Sequence, residues 1–159
     1  MTIRRYIESD YEQVLVLHRI AMEAVGCYID DPHINGDLDD IPGNYIGKNG
    51  EFVVGKIDGR IAAMGGFRQF GDGHAEIKRM RVDPVFQGRG YGRQILAHLE
   101  NRAIELGYTG MILETSVKQT AAQRLYTRFG FIESSREMIE GFDCIWYRKM
   151  LTPAGKSAK

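Results

Sequence analysis

The sequence predicts a single mixed α/β domain of the α+β type. Its 159 residues, 43% apolar and 26% charged, suit one soluble domain with a real core. The spacing of apolar residues alternates between the two-residue period of strands and the 3.6-residue period of helices, in the order β-α-β-β-β-α-β-α-β-β. The sequence contains no internal repeat and no linker. We expect residues 1–151 to form this domain and residues 152–159 to be a flexible C-terminal tail.

The predicted strands are short apolar runs bounded by turn residues. They cover residues 2–7, 51–57, 61–70, 74–82, 111–115, 131–138 and 144–151. Asp58-Gly59 separates the second and third of these runs, and Asp-Gly between apolar runs is a strong signal for a tight hairpin. The sequence therefore predicts at least one antiparallel pair near the middle of the sheet.

Three helices are predicted from apolar residues spaced three or four apart. The first covers residues 14–25, the second residues 90–106 and the third residues 120–129. The second should bury one face, made of Tyr91, Ile95, Leu99, Ala103 and Leu106. The intervening residues 26–50 lack a period, and we expect irregular structure there with a short helix near residues 38–46.

The fourth strand carries a break in its alternation. Ala75 and Ile77 share one parity, whereas Met80 and Val82 share the other. One extra residue near Lys78-Arg79 would bring all four to the same face, which is the pattern of a β-bulge. The alternative is a central strand buried on both faces.

A glycine-rich run, Gln87-Gly88-Arg89-Gly90-Tyr91-Gly92, precedes the second long helix. Glycine adopts positive φ at little steric cost, so such a loop can turn several N–H groups toward one point. The helix adds its free N-terminal N–H groups and the positive end of its dipole. Together they suit a phosphate or pyrophosphate, although a simple surface turn would also explain the glycines.

Two motifs resemble the GNAT superfamily of N-acetyltransferases. The Q/R-x-x-G-x-G/A motif matches at Gln87, Gly90 and Gly92, and the strand before it, with Ala75-Glu76-Ile77 and Met80-Arg81-Val82, agrees. The downstream A-x-x-L-Y-x-x-x-G-F pattern matches at Ala122, Leu125, Tyr126, Gly130 and Phe131. The resemblance covers nearly the whole chain. It implies a mostly antiparallel central sheet with helices on both faces and a bulged fourth strand.

The resemblance also implies acetyl-CoA as co-substrate, with no metal. Backbone N–H groups of residues 88–93 would hold the pyrophosphate, and the strand at residues 80–82 would pair with the pantetheine amides. The implied cofactor-binding residues are Met80, Arg81, Val82, Gln87, Gly88, Arg89, Gly90, Tyr91, Gly92, Arg93 and Gln119. Gln119 stands where the family often has asparagine.

Two catalytic residues follow from the same resemblance. Glu76 lies where some members place a glutamate general base for the acceptor amine, and Tyr126 matches the usual acid that protonates the departing thiolate. The alternative for Glu76 is a strand acid paired with Lys78. The alternative for Tyr126 is an aromatic side chain that packs in the core.

The expected acceptor is a primary amine on a small molecule or a protein, whose nitrogen attacks the thioester carbonyl carbon directly. Aspartates between Asp30 and Asp40 either line a site for a cationic amine or act as helix caps and solvated surface. Zero net charge argues against a nucleic-acid partner, and no apolar run is long enough to suggest a membrane partner. Two cysteines suggest a reducing, cytoplasmic setting, and a homodimer would follow the family's habit.

Two other functions remain open at this point. A dinucleotide-binding enzyme would use Glu114 as a ribose acid, but Gly88 comes six residues after Val82 and no G-x-G-x-x-G is present. A non-catalytic acyl-CoA-binding module would keep the glycine loop and dispense with acid and base. The presence of both Glu76 and Tyr126 disfavours the second alternative.

Overall fold

The computed structural model describes residues 1–153 and contains one seven-stranded mixed sheet. The strands are β1 (Thr2–Arg5), β2 (Glu51–Ile57), β3 (Arg60–Phe70), β4 (His74–Val82), β5 (Gly110–Ser116), β6 (Ile132–Ile139) and β7 (Phe142–Met150). Their order across the sheet is β1-β2-β3-β4-β5-β7-β6. All neighbours are antiparallel except β4 and β5, which run parallel. The predicted fold class is therefore confirmed; residues 154–159, most of the predicted tail, lie outside the described range.

The helices lie on both faces of this sheet. They are α1 (Tyr11–Ala24), α2 (Pro32–Asn35), α3 (Ile41–Asn44), α4 (Tyr91–Glu105) and α5 (Thr120–Arg128). The predicted buried face of α4 packs in one core cluster with Val53, Phe67 and Tyr126. The opposite face of the sheet packs against α1 and residues 38–45 in a second cluster that includes Leu17, Leu38 and Phe52.

Residues 26–50 fold as a chain of single turns rather than one short helix. The helical turns α2 and α3 alternate with 3₁₀ turns at Gly36–Asp40 and Ile46–Lys48. Asp31 and Asp40 begin α2 and α3 by accepting hydrogen bonds from the N–H groups of His33 and Gly43. Proline in the first turn of each helix suits the same positions.

The hairpin and the bulge were both predicted correctly. Asp58 (φ 48°) and Gly59 (φ 76°) form a two-residue turn with positive φ at both positions, which matches the twist of the flanking strands. In β4 the register against β3 slips between Met64 and Gly66, so that β4 contains one extra residue. Arg79 adopts φ 59° at this slip.

The bulge sorts the side chains of β4 between the two faces of the sheet. Ala75 and Ile77 are buried in the core beneath α4 and α5, and Met80 and Val82 pack against that same core. Gly65, opposite the bulge, leaves room for Met80, because a Cβ there would come 2.5 Å from the Met80 sulfur. Glu76, Arg79 and Arg81 are left for the other face, where they line a cavity.

Candidate active site

A cavity of about 700 Å³ opens where β4 and β5 separate. The two strands pair only at His74–Gly110, Ala75–Met111 and Glu76–Ile112, and they diverge beyond these positions. Residues 27–37 cover one side of the cavity and the β6–β7 turn covers another. The parallel pair thus leaves backbone and side-chain groups facing an open space rather than a neighbouring strand.

Glu76 lies at the last paired position of β4 and lines this cavity. It is only 8% exposed. One of its carboxylate oxygens, Oε1, lies 3.6 Å from Arg68 Nε and 3.7 Å from Lys78 Nζ. The ion pair that was the alternative for Glu76 is therefore present, and the carboxylate nevertheless faces the candidate site.

Tyr126 reaches the same cavity from α5, on the opposite side of the strand separation. Its ring packs edge-on against Phe131 and tilted against Tyr147, with centroids 5.8 and 6.3 Å away. Burial raises the pKa of Tyr126 to about 12, although the charge of Arg81 acts in the opposite direction. The hydroxyl is therefore protonated at neutral pH and able to donate a hydrogen bond. Tyr126 both packs in the core and lines the site.

Arg81 has its side chain in the cavity and is held there by a hydrogen-bonded chain. Its Nε donates to Nδ1 of His18 over 3.3 Å, and its Nη1 donates to the carbonyl of Met80 over 2.7 Å. Because arginine only donates, His18 Nδ1 must accept, which places the proton of the neutral ring on Nε2, facing Asn35 Oδ1. Asn35 Nδ2 in turn donates to the carbonyl of Ile29, which anchors the chain in the segment that covers the cavity.

Burial and the neighbouring arginines determine the charge states of this chain. Burial, with Arg81 and Arg79 nearby, lowers the pKa of His18 to about 3, so that the ring is neutral at pH 7. Burial also lowers the pKa of Arg81 to about 10, with Arg79 contributing, and the guanidinium still keeps its charge at neutral pH. His18 is thus a hydrogen-bonding partner and not a counterion.

Asp37 and Arg79 form a second buried contact at the cavity. Arg79 Nε and Nη2 donate to the two carboxylate oxygens of Asp37 over 2.9 and 2.5 Å, and Nη2 also reaches the carbonyl of Ile34. The two side chains are only 11% and 12% exposed. This contact ties residues 34–37 to the bulge of β4. Asp37 lines the cavity, whereas Asp31 and Asp40 cap helices and Asp39 accepts from Tyr11.

The glycine loop lies at the end of β4 and does not line the cavity. Gly88 and Gly90 adopt φ 77° and 80°, and Gly90 is the N-cap of α4. Gln94 donates to the carbonyl of Gly90, so the N–H groups of the three preceding helical residues have no acceptor within the helix. Arg89 and Arg93 lie over the rings of Phe86 and Phe129. These features fit an anionic group bound at the loop.

The structure divides the predicted site residues into two sets. Glu76, Met80, Arg81, Gln119 and Tyr126 line the cavity, whereas Gln87 to Arg93 form the loop beside it. The side chain of Val82, between the two sets, packs against the core instead. The sequence assigned Arg81 and Met80 only through their backbone, and it indicated neither the Arg81 side chain nor His18; it suggested Glu114 only as the ribose acid of a dinucleotide-binding enzyme. Alternation of side chains along the bulged strand already places Arg81 on the face of β4 opposite to Met80. This pattern could have assigned the Arg81 side chain to the cavity. Nothing comparable in the sequence indicates His18.

Glu114 is a second carboxylate in the cavity, on β5. In residues 1–153 no lysine, arginine or histidine nitrogen lies within 4.0 Å of it. Its neighbour Cys144 is buried, and burial together with the charge of Glu114 raises the pKa of that thiol to about 12. Glu114 therefore faces the cavity without a cationic partner.

No group of three or more histidine, cysteine or acidic side chains in residues 1–153 is arranged to hold a metal ion. Within the same residues, no helix has the length and apolar character needed to cross a membrane. Cys27 and Cys144 are both free thiols in the buried part of the chain.

Known proteins resemble this chain in both sequence and fold. IAA acetyltransferase of Azospirillum brasilense is 32% identical over 83 residues, 52% of this chain and 54% of that protein. The chain spans about half the length of the curated relatives that it matches. The crystal structure of an acetyltransferase of the GNAT family from Staphylococcus aureus Mu50 superposes with a TM-score of 0.87 at 22% identity, covering 95% of this chain and 99% of that one.

One further solved structure, yncA from Salmonella typhimurium, was determined with its cofactor acetyl-CoA. It superposes with a TM-score of 0.69 at 19% identity, covering 98% of this chain and 96% of that one. The family model of the acetyltransferase (GNAT) family matches residues 15–131, which include the bulged strand, the glycine loop and α5. The chain belongs to the GNAT family of acetyltransferases.

Proposed function

We propose that this protein transfers an acetyl group from acetyl-CoA to a primary amine by direct attack of the amine on the thioester. The observation that carries the proposal is the separation of β4 and β5. It brings a carboxylate, Glu76, and a phenol, Tyr126, to one cavity beside a loop suited to phosphates.

The residues present fit acetyl-CoA. N–H groups of residues 88–93 would hold the pyrophosphate, because two glycines with positive φ and the free end of α4 converge there. The backbone of residues 80–82 has no β5 partner beyond Glu76 and would pair with the pantetheine amides. Acetyl-CoA supplies an activated acyl group. That a structural neighbour was solved with its cofactor acetyl-CoA supports this donor.

Glu76 is proposed to accept the proton of the attacking amine, directly or through a water. A free alkylamine is mostly protonated at pH 7, so a base is needed to provide the neutral nucleophile. The ion pairs with Arg68 and Lys78 hold the carboxylate in place at the edge of the cavity. Glu114, which has no such partners, is the alternative base.

Tyr126 is proposed to donate its proton, or a hydrogen bond, to the departing sulfur. Burial raises its pKa to about 12, whereas an unperturbed thiol has a pKa of about 8.5. Full proton transfer is therefore uphill by several kcal/mol, since each pKa unit corresponds to about 1.4 kcal/mol. We expect Tyr126 to act chiefly by stabilising the developing thiolate with a hydrogen bond.

The relatives' names do not determine the acceptor of this chain. The [Ribosomal protein bS18]-alanine N-acetyltransferase of Haemophilus ducreyi and IAA acetyltransferase, by their names, act on very different molecules. We propose a small-molecule or protein amine as acceptor, and a reducing, cytoplasmic setting from the two free thiols.

The test is release of free CoA thiol from acetyl-CoA with a panel of amines. We expect acetyl-CoA to bind in calorimetry where NAD does not, and at least one amine to accelerate thiol release. Binding of acetyl-CoA without turnover across the panel would favour the non-catalytic acyl-CoA-binding module. Binding of NAD alone would overturn the assignment of the glycine loop.

A further inference from the structure

The cavity contains equal numbers of charged groups of each sign, and most of them are paired with each other. Its cations are Arg68, Lys78, Arg79 and Arg81, and its carboxylates are Asp37, Glu76, Glu114 and Glu140. Arg79 pairs with Asp37, and both Arg68 and Lys78 face Glu76. For Arg81, no carboxylate oxygen of residues 1–153 lies within 4.0 Å. Arg81 is thus the cation of this cavity that has no carboxylate in direct contact, although the charge of Glu114 in the same cavity acts on it.

The hydrogen bonds of Arg81 also leave part of its guanidinium unused. Of five N–H donors, one bonds His18 and one bonds the carbonyl of Met80. The other three have no acceptor among the residues that the structure describes. His18 is neutral, so it orients the guanidinium without neutralising it. A partly buried cation without a contacting carboxylate favours a ligand of opposite charge, and the planar N–H pairs of a guanidinium match a carboxylate in particular.

Arg81 is also correctly placed for a substrate contact. It shares the cavity with Glu76, Tyr126 and the unpaired Glu114, at the point where β4 has separated from β5. A molecule with an amine and a carboxylate would meet acidic groups and one free guanidinium in the same space. An amine without a carboxylate would leave Arg81 uncompensated when it displaced water from the cavity.

We propose that the acceptor is an amine that also carries a carboxylate, as an amino acid does, and that Arg81 binds this carboxylate. The inference rests on the proposed acetyltransferase function and names the substrate class of the same site. It makes Arg81 a specificity-determining residue. If Arg81 had only a structural role, it would position His18, and through it Asn35, and its substitution would affect all acceptors alike.

The experiment compares each amino acid with its own carboxamide as acceptor, for example methionine with methioninamide and aspartate with its α-amide. The readout is kcat/KM for thiol release from acetyl-CoA at fixed pH, with the amine concentration corrected for its neutral fraction. We expect the wild type to prefer the carboxylate form by a factor on the order of 10–10² for at least one pair. Arg81→Gln should remove most of this preference, and Arg81→Lys should retain part of it.

Controls separate this result from a general loss of structure. Arg19→Gln removes an exposed arginine of α1 that pairs with Glu23 and lies over the ring of Tyr28, outside the residues that line the cavity, and it should keep the wild-type preference. The ratio between acid and amide is measured within each variant, so partial unfolding cancels from it. Acetyl-CoA affinity should be unchanged in Arg81→Lys.

Three outcomes would overturn the inference. The first is a wild type that acetylates amides as well as acids, and the second is an undiminished preference in both Arg81 variants. The third outcome concerns binding. If no amine is turned over, the acetyltransferase proposal fails, and the carboxylate site at Arg81 is then tested separately by calorimetric titration of amino acids and their amides. Equal binding of acids and amides to the wild type would refute the carboxylate site.

Discussion

Removal of the negative charge of Asp37 should destabilise this protein strongly. Asp37 accepts two hydrogen bonds from Arg79 and one from the hydroxyl of the fully buried Tyr45, which donates over 2.5 Å. In Asp37→Asn the shape is almost kept, but the amide cannot neutralise Arg79. The guanidinium would then remain buried with an amide in place of its counterion.

The expected loss of stability is about 3–5 kcal/mol, the usual range for breaking a buried ion pair by removing one partner. The lower end is favoured because the amide oxygen can still accept one of the hydrogen bonds. At about 2–4 °C per kcal/mol for a domain of this size, the melting temperature should fall by about 6–20 °C. Arg79 also adopts the left-handed conformation at φ 59°, and the substitution weakens the contact that holds it there.

The same variant should lose part of the pH dependence of stability. Burial would raise the pKa of Asp37, but the hydrogen bonds and charge of Arg79 outweigh it and hold this pKa below its usual value. A carboxyl with a lowered folded-state pKa adds stability above its unfolded pKa, about 3.9, and loses it as the pH falls through the folded value. The difference between wild type and Asp37→Asn should therefore be largest near neutrality and shrink below about pH 4.

The measurement is urea or thermal unfolding at pH 7 and at pH 3.5. Asp39→Asn is the matched control, because Asp39 lies in the same segment but accepts only an exposed hydrogen bond from Tyr11. Asp39→Asn should lower the free energy of unfolding by less than about 1 kcal/mol. If Asp37→Asn is no more destabilising than Asp39→Asn, the pair with Arg79 does not hold residues 34–37 to the bulge.

Three further predictions concern the proposed site. Gly90→Val should weaken acetyl-CoA binding at least tenfold in calorimetry, because valine is strained at φ 80°, whereas Gly107→Val, strained alike at φ 88° after the other end of α4, should leave affinity intact. Tyr126→Phe removes the hydrogen bond to the departing thiolate and should lower kcat by a factor on the order of 10²–10³ with unchanged acetyl-CoA affinity, and a wild-type kcat would leave the ring only a packing role. Glu76→Gln should lower kcat/KM most at neutral pH and less at high pH, where the amine is already neutral. An unaltered pH–rate profile would favour Glu114 as the base.

The strands and long helices could be predicted because their signals are local. Alternation, the 3.6-residue period, Asp58-Gly59 and the glycine loop each depend on a few neighbouring residues. The bulge could be predicted for the same reason, since a change of parity within β4 is visible in nine residues. The position of Glu76 and Tyr126 in one cavity came from a family resemblance, and the structure places both side chains there.

The remainder of the site depends on contacts that are distant in sequence. Asp37 and Arg79 are 42 positions apart, and His18 and Arg81 are 63 apart. Residues 26–50 have no hydrophobic period, because their single turns are held by side-chain hydrogen bonds and caps rather than by a repeated apolar face. No pattern within that segment could therefore indicate which of its aspartates would face a cation.

The bulge links the fold of this chain to the chemistry proposed for it. Without the extra residue, Met80 and Val82 would lie on the same face as Glu76, and Arg79 would exchange places with them. With it, Met80 remains over Gly65 in the core while Arg79 and Arg81 enter the cavity. One of these arginines is neutralised by Asp37, which fastens the covering segment, and the other is oriented by His18 but not neutralised. The two arginines of the bulge therefore have different roles: Arg79 holds the cavity together, and Arg81 is available to an anionic group of the substrate.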